Sequence, residues 1–234
     1  HLSHCLYGLT IIKNVSDYVY VTCDGVGEGE TMSIYTIDDS YKIKKIWTNF
    51  YPNSIGLFYS TITDYLGFEI NEGEFKVMSL SSFGKPIYEN ELKRIFDVNS
   101  FKINMDYFEF NKNPNKSFSK KFSDIFGEPY LNINLKENFK KYADIASSAQ
   151  SILELTMKNL LENAIKLSGK KKIVLTGGVA LNCKMIHNLS KQDLFEELIV
   201  PPSPGDSGSA IGAANFAYLN DKKTNTLNLN TIFL

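Results

Sequence analysis

The sequence lacks the features that would place it in a membrane or nucleic-acid-binding class. No run of about 18 consecutive apolar residues occurs, so we expect no membrane span. The 25 basic residues are balanced by 26 acidic ones, for a formal net charge of −1. Because nucleic-acid binding requires a basic surface, this balance predicts no nucleic-acid partner.

The sequence is also poor in cysteine. Cys5, Cys23 and Cys183 have no C-x-x-C spacing, which predicts neither a zinc site nor a disulfide framework. No charged segment followed by an apolar one opens the chain as in a secretory signal. We therefore predict a reduced, cytoplasmic setting. The 234 residues suffice for one large domain or two small lobes.

What the sequence does contain is a strand, a glycine turn and a helix in succession near its end. Residues 173–175 are apolar and, with Lys172, predict a short strand over 172–175, followed by Thr176-Gly177-Gly178 and a predicted helix over 180–189. Glycines permit positive φ and close approach of the backbone to a ligand. Free N–H groups at a helix N-terminus favour phosphate, so this turn is a candidate phosphate site with Asn182 beside it.

The pattern recurs directly afterwards. A predicted strand over 198–202 leads to Gly205-Asp206-Ser207-Gly208 and a predicted small-residue helix over 210–218. Taken singly, each turn is as easily an ordinary strand–helix connection. As a pair, with a carboxylate at Asp206, the two turns predict one side of a nucleotide or phosphate cleft.

Two features near the start of the chain also carry candidate ligands. Residues 18–23 and 31–36 predict strands joined by an acidic, glycine-rich turn over 24–30. An aspartate at the end of a buried strand can hold a metal, although a plain hairpin turn is the alternative. His1 and His4 lead into a predicted helix over 5–12. Two histidines three residues apart on a helix can face one ligand; a pair of surface histidines is the alternative.

The rest of the chain predicts architecture. Helical periodicity occurs over 55–66, 88–98 and, most extensively, 136–167, and short strands are predicted over 42–47, 102–104 and 107–110. Gln150 and Glu154 in the long helix are interpreted as solvent-facing, and so are Lys76 and Lys85. The segment 100–130 carries no defensible chemistry.

Six motifs, taken together, are more specific than any one of them. In chain order they are HLSH at 1–4, VTCDGVGEGET at 21–31, IGLFYSTITDYLGF at 55–68, GEFKVMSLSSFGKP at 73–86, LTGGVALNCK at 175–184 and PGDSGSAIGAA at 204–214. The set resembles the carbamoyltransferase family that includes nodulation-factor and antibiotic O-carbamoyltransferases.

The resemblance implies an α/β, actin-like ATPase (ribonuclease H-like) fold with two lobes around a nucleotide cleft, related to the tRNA threonylcarbamoyl-transfer proteins. It implies that residues 1–219 form the transfer domain and 220–234 a linker toward a YrdC-like domain. That second domain would make carbamoyl adenylate from carbamoyl phosphate and ATP, and this one would pass the carbamoyl group to an acceptor hydroxyl of a sugar or natural product. The chain begins at His1 and ends on Ile232-Phe233-Leu234, so we expect a fragment, incomplete at its N-terminus and inactive alone.

The resemblance also implies site residues. Metal, usually iron, would be held by His4, Asp24 and Asp206, with a further histidine expected one residue before His1. Nucleotide contacts are implied for Gly25, Gly177, Gly178, Asn182 and Gly205. Three positions depart from the family pattern, namely Ser79, Tyr130 and Ile186.

Two other functions remain open from the sequence. A sugar- or acetate-type kinase would use the same glycine turns with ATP and magnesium but without a histidine ligand. A non-catalytic nucleotide-binding module would use them without chemistry. The sequence names neither a catalytic base nor the acceptor, nor an oligomeric state.

Overall fold

The computed structural model describes residues 1–113, 116–130 and 135–222, so the predicted linker lies almost entirely outside the described residues. The chain divides into two compact units. One contains His1–Tyr51 and Leu160–Leu234, and the other contains Pro52–Asn159. None of the helices in the described residues is both long and apolar enough to cross a membrane.

The elements follow one another in a mixed α/β order. In that order the helices are α1 (Leu2–Tyr7), α2 (Ile55–Tyr65), α3 (Glu74–Leu80), α4 (Glu89–Ile95), α5 (Lys120–Phe126), α6 (Leu135–Ser168), α7 (Cys183–Ser190) and α8 (Asp206–Lys222). The strands are β1 (Tyr18–Gly27), β2 (Glu30–Ile37), β3 (Ile43–Phe50), β4 (Phe96–Asp97), β5 (Lys102–Ile103), β6 (Lys172–Thr176) and β7 (Glu197–Ile199).

The first unit is built on a five-stranded sheet of order β3-β2-β1-β6-β7. Strands β1 to β3 form an antiparallel meander, whereas β6 and β7 run parallel to β1. Central strands of such a sheet are buried on both faces and therefore read as apolar runs. The register pairs Thr22 of β1 with Thr176, the last residue of β6, so β1 continues past the end of β6 and Asp24 lies against the turn that follows β6.

The β1–β2 hairpin is tighter than the sequence predicts. Strand β1 continues to Gly27, and only Glu28 and Gly29 form the connection, with φ of 55° and 86°. Positive φ at both central residues is typical of a type I′ turn, which matches the twist of paired strands. Asp24 therefore lies within a strand rather than in the predicted turn.

The second unit contains α2 to α5, the two-stranded sheet β4–β5 and most of α6. Its core is aromatic. The ring of Tyr65 lies 5.4, 5.2 and 6.0 Å from those of Phe118, Phe122 and Phe126, respectively. Tilted and edge-on rings at these separations are the favoured packing of aromatic side chains.

Long periodic segments match their predictions, and short ones differ. Helices α2 and α6 are confirmed within a residue or two, but α1 ends at Tyr7 and continues as a 3₁₀ turn. The predicted strand over 107–110 is wrong, since only Phe108 bridges to another segment. The prediction that Gln150 faces solvent is wrong, since its side chain is only 2% exposed. Tyr59 donates a hydrogen bond to Gln150, and Gln150 donates one to Glu154.

Candidate functional site

One imidazole and two carboxylates from distant parts of the chain meet in the first unit. Nε2 of His4 lies 3.0 Å from Oδ2 of Asp24 and 3.3 Å from Oδ1 of Asp206. One potential ligand atom from each residue lies within 4.8 Å of the other two. The geometry therefore joins the three residues that the sequence singles out as metal ligands.

Each of the three side chains is held by a different element. His4 lies on α1, Asp24 near the end of β1, and Asp206 is the first residue of α8. Their side chains are 6%, 23% and 95% exposed, respectively. The cluster is consequently closed on the imidazole side and open to solvent on the Asp206 side.

The protein stabilises Asp24 as a carboxylate. Burial by itself raises the pKa of this carboxyl, but hydrogen bonds from His4 and from the backbone of Gly25 and Gly178, together with the charge of His4, lower the pKa below the usual value of an aspartate. Hydrogen bonding to the charged form has this effect generally. The ionised carboxylate is the form that binds a cation.

The turn after β6 lies against the same carboxylate. Gly177 has φ of 95°, and a Cβ there would lie 2.1 Å from the carbonyl oxygen of Cys23, so this position requires glycine. Gly178 is not in the left-handed region, but a Cβ there would lie 2.9 Å from Oδ1 of Asp24, so a larger residue would displace that carboxylate.

The expectation that this turn offers free N–H groups is not met. Gly177 donates its N–H to the carbonyl oxygen of Pro204, at 2.8 Å, and Gly178 donates to the Asp24 carboxylate. Nor does the helix begin at the turn: residues 178–181 form a 3₁₀ turn, and α7 begins at Cys183. The glycines therefore bring backbone segments together, and their amides serve intramolecular bonds.

The other residues predicted to contact the nucleotide are Gly25, Gly205 and Asn182. Gly25 donates its N–H to Oδ1 of Asp24 at 2.7 Å. A Cβ on Gly205 would lie 3.8 Å from Cα of Gly178, so the two glycine turns adjoin each other as expected. Asn182 caps α7, accepting a hydrogen bond from the N–H of Met185 at 2.9 Å.

The donor set fits a divalent transition metal. Imidazole suits zinc, copper, iron and nickel, carboxylates suit harder ions, and a mixed set accommodates iron or manganese. One feature departs from the usual pattern of such sites. A metal-bound histidine ordinarily donates a hydrogen bond from its second nitrogen. Nδ1 of His4 is buried and has no hydrogen-bond partner among the described residues. His1 lies outside the cluster, its ring centroid 6.4 Å from that of His4.

A comparison with models of known protein families identifies the family of this chain. Residues 15–215 match the family model described as "Carbamoyltransferase N-terminus". The chain belongs to this carbamoyltransferase N-terminal family. The matched range contains Asp24, both glycine turns and Asp206, and it begins after His4.

The alignments with two relatives extend over most of this chain. An uncharacterised protein of Synechocystis is 35% identical over 203 residues, or 85% of this chain, and the nodulation protein NolNO of Sinorhizobium fredii is 26% identical over 218 residues, or 92%. The chain spans about a third of the length of these relatives, 32% and 30%, respectively. The similarity to these relatives therefore concerns only about a third of the length of each.

A solved structure confirms the fold of this carbamoyltransferase domain. The activator of the 2-hydroxyisocaproyl-CoA dehydratase from Clostridium difficile, with bound ADPNP, superposes with a TM-score of 0.51 at 15% identity. The superposition covers 96% of this chain and 69% of that one. The predicted actin-like ATPase fold is therefore confirmed.

The sequence analysis missed the residues that hold α1 against α8. Asn215 donates a hydrogen bond from Nδ2 to the carbonyl oxygen of Leu6, and Gly212 lies against the backbone of Ser3. The signal was present in the spacing of Gly208, Gly212 and Asn215, which places them on one helical face. Their contact partners are nearly the whole chain away, which no local pattern reveals.

Proposed function

We propose that this chain is the transfer domain of an O-carbamoyltransferase that moves a carbamoyl group from carbamoyl adenylate to an acceptor hydroxyl. The single observation that carries the proposal is the convergence of His4, Asp24 and Asp206 beside the Gly177-Gly178 turn, in a chain of the carbamoyltransferase N-terminal family.

The three side chains are proposed to hold a divalent metal, iron first among the candidates. Such an ion would supply Lewis-acid polarisation of the bound adenylate. Asp24 contributes a carboxylate whose lowered pKa keeps it charged throughout the physiological range. Asp206 contributes the exposed carboxylate on the solvent-facing side of the cluster.

The glycine turns are proposed to form the floor on which the adenylate phosphate lies. Gly205 is buried and has no side chain, and it immediately precedes α8. Backbone N–H groups in the first turn of a helix attract phosphate. Since the Gly177 and Gly178 amides are engaged internally, we assign the phosphate to the start of α8, ahead of Gly208, whose own N–H donates to the carbonyl oxygen of Gly205.

The proposed reaction is acyl transfer from a mixed anhydride. The acceptor oxygen forms a bond to the carbamoyl carbon, the bond from that carbon to the phosphate oxygen breaks, and AMP departs with the electron pair. The hydroxyl proton passes to a general base that the described residues do not identify. The partners proposed are a small-molecule acceptor and a YrdC-like domain in the same polypeptide.

Nucleotide and metal calorimetry on the full-length protein tests the proposal. AMP and Fe²⁺ or Mn²⁺ should bind the wild type, and Asp206→Ala should lose most metal affinity. Gly178→Val should weaken both ligands because its side chain would overlap the Asp24 carboxylate. Unchanged binding of both ligands in both variants would remove the proposal.

Metal analysis separates this function from that of a kinase with the same fold. An imidazole in the cluster favours a transition metal over magnesium, which prefers oxygen ligands. Purified protein containing iron, together with release of AMP from ATP and carbamoyl phosphate, supports carbamoyl transfer. Dependence on magnesium alone, with ADP as the product, supports a kinase.

A further inference from the structure

Helices α1 and α8 approach each other so closely that no side chain fits between them. A Cβ added to Gly212 would lie 1.7 Å from the carbonyl oxygen of Ser3 and 3.0 Å from the backbone nitrogen of Tyr7. One added to Gly208 would lie 2.1 Å from the carbonyl oxygen of Ser203, just before α8, and 2.5 Å from Cε1 of the Tyr7 side chain. Since a Cβ cannot overlap a backbone oxygen, the present separation of the two helices requires glycine at Gly212.

Asn215 extends this contact by one helical turn. It is 2% exposed, and its Nδ2 donates to the carbonyl oxygen of Leu6 at 2.8 Å. Leu6 is the second-last residue of α1, and its carbonyl oxygen also accepts the N–H of Gly8, which follows the helix. Asn215 therefore adds a bond from α8 to a buried backbone group near the end of α1 and fixes α1 along the axis of α8.

The same two helices carry two of the three clustered ligand residues. His4 directly follows Ser3, the residue that touches Gly212, and Asp206 begins α8 six residues before Gly212. Any displacement of α1 away from α8 moves the His4 backbone relative to Asp206. Asp24 lies in the sheet and does not share this contact.

We propose, resting on the metal-dependent function proposed above, that Gly212 and Asn215 are positioning residues of the metal centre. They touch no ligand. They hold α1 at the separation from α8 at which the His4 imidazole and the Asp206 carboxylate face the same point, and so they set metal affinity through a contact remote from the metal.

Cobalt titration of the full-length protein tests this, because Co²⁺ reports both affinity and coordination through its visible spectrum. Gly212→Ala should bind Co²⁺ at least tenfold more weakly and with an altered spectrum, and Asn215→Leu should act in the same direction. The matched control is Leu92→Ala, a fully buried residue of α4 in the second unit, which should lower stability and leave the cobalt affinity and spectrum unchanged.

Crystal structures of the variants complete the test. The distance from Nε2 of His4 to Oδ1 of Asp206 should exceed the present 3.3 Å in Gly212→Ala, or in Asn215→Leu if the glycine variant does not fold. Wild-type affinity, spectrum or distance in the folded variant would overturn the positioning role. Wild-type protein that binds no cobalt would instead overturn the metal-dependent function, while the distance would still decide whether Gly212 and Asn215 position the pair.

Discussion

Gly178 lies directly against the carboxylate of Asp24: a Cβ on this glycine would come within 2.9 Å of Oδ1, and its backbone N–H donates to the same carboxylate. Asp24 in turn faces His4. The glycine turn and the candidate metal centre are therefore one structure, and a change in the turn is transmitted to the carboxylate.

The first prediction follows from this contact. Gly178→Ala should reduce Mn²⁺ affinity about tenfold, equivalent to about 1.4 kcal/mol, because the added methyl displaces the Asp24 carboxylate. Isothermal titration calorimetry measures the effect. Val179→Ala, one residue further along, is the matched control and should bind as the wild type does. Equal affinity in Gly178→Ala and the control would contradict the coupling.

The second prediction concerns the strands that bring Asp24 beside the turn. The hydroxyls of Thr22 and Thr176 form a buried hydrogen bond of 3.1 Å between β1 and β6. Either Thr→Val change alone should destabilise by about 1–3 kcal/mol, because it leaves the other hydroxyl buried and unpaired. The double variant should cost less than the sum. Urea unfolding of the four proteins gives the cycle, and strict additivity would show that the bond contributes nothing.

The sequence predicts the members of the candidate site better than their geometry. Strand–glycine patterns and family motifs identify His4, Asp24 and Asp206, and the structure brings all three together. Whether an amide is free depends on what lies opposite it. Gly177 donates to Pro204, across the boundary of two successive strand–helix units, and that pairing is not encoded in the periodicity of either unit.

For the fold, prediction succeeds where a period repeats often enough to be measured. The 34 residues of α6 provide many turns of evidence for a helix. Residues 107–110 provide only two alternations, and there the bridge between Phe108 and Phe118 and the aromatic core of the second unit decide the conformation. The burial of Gln150 is not predicted either, because its hydrogen-bond partner Tyr59 is 91 residues away in the sequence.

The third prediction separates two roles of Asn182. Its side chain caps α7, so Asn182→Ala should destabilise the protein by about 1 kcal/mol. Asn182→Asp should keep the cap, because a carboxylate also accepts from the Met185 N–H, yet it should weaken AMP binding if the side chain lies near phosphate. Thermal unfolding and AMP calorimetry of both variants distinguish the roles. Wild-type AMP affinity in the aspartate variant would restrict Asn182 to capping.

The fourth prediction concerns the pH dependence of the second unit. Asp144 of α6 is buried, accepts the N–H of Lys85 at 2.6 Å and pairs with the ammonium of Lys140. Burial by itself raises the pKa of this carboxyl, but the hydrogen bonds from Lys140 and Lys85 and their charges lower the pKa below the usual value of an aspartate. A Cβ on the adjacent Gly84 would lie 1.9 Å from the carbonyl oxygen of Ala143, so this loop lies tightly on α6.

Because the folded-state pKa is depressed, the carboxylate stabilises the folded form above the unfolded-state pKa, and this contribution is lost as the pH falls through the folded-state value. Asp144→Asn should therefore cost about 2 kcal/mol at pH 7, and the difference from wild type should shrink below about pH 3.9. Urea unfolding between pH 7 and pH 3 measures it, with Asp124→Asn, an exposed carboxyl on α5, as the control for loss of charge. A difference independent of pH would contradict this prediction, because asparagine nearly retains the shape of aspartate and a contribution from the ionised oxygen must change with pH.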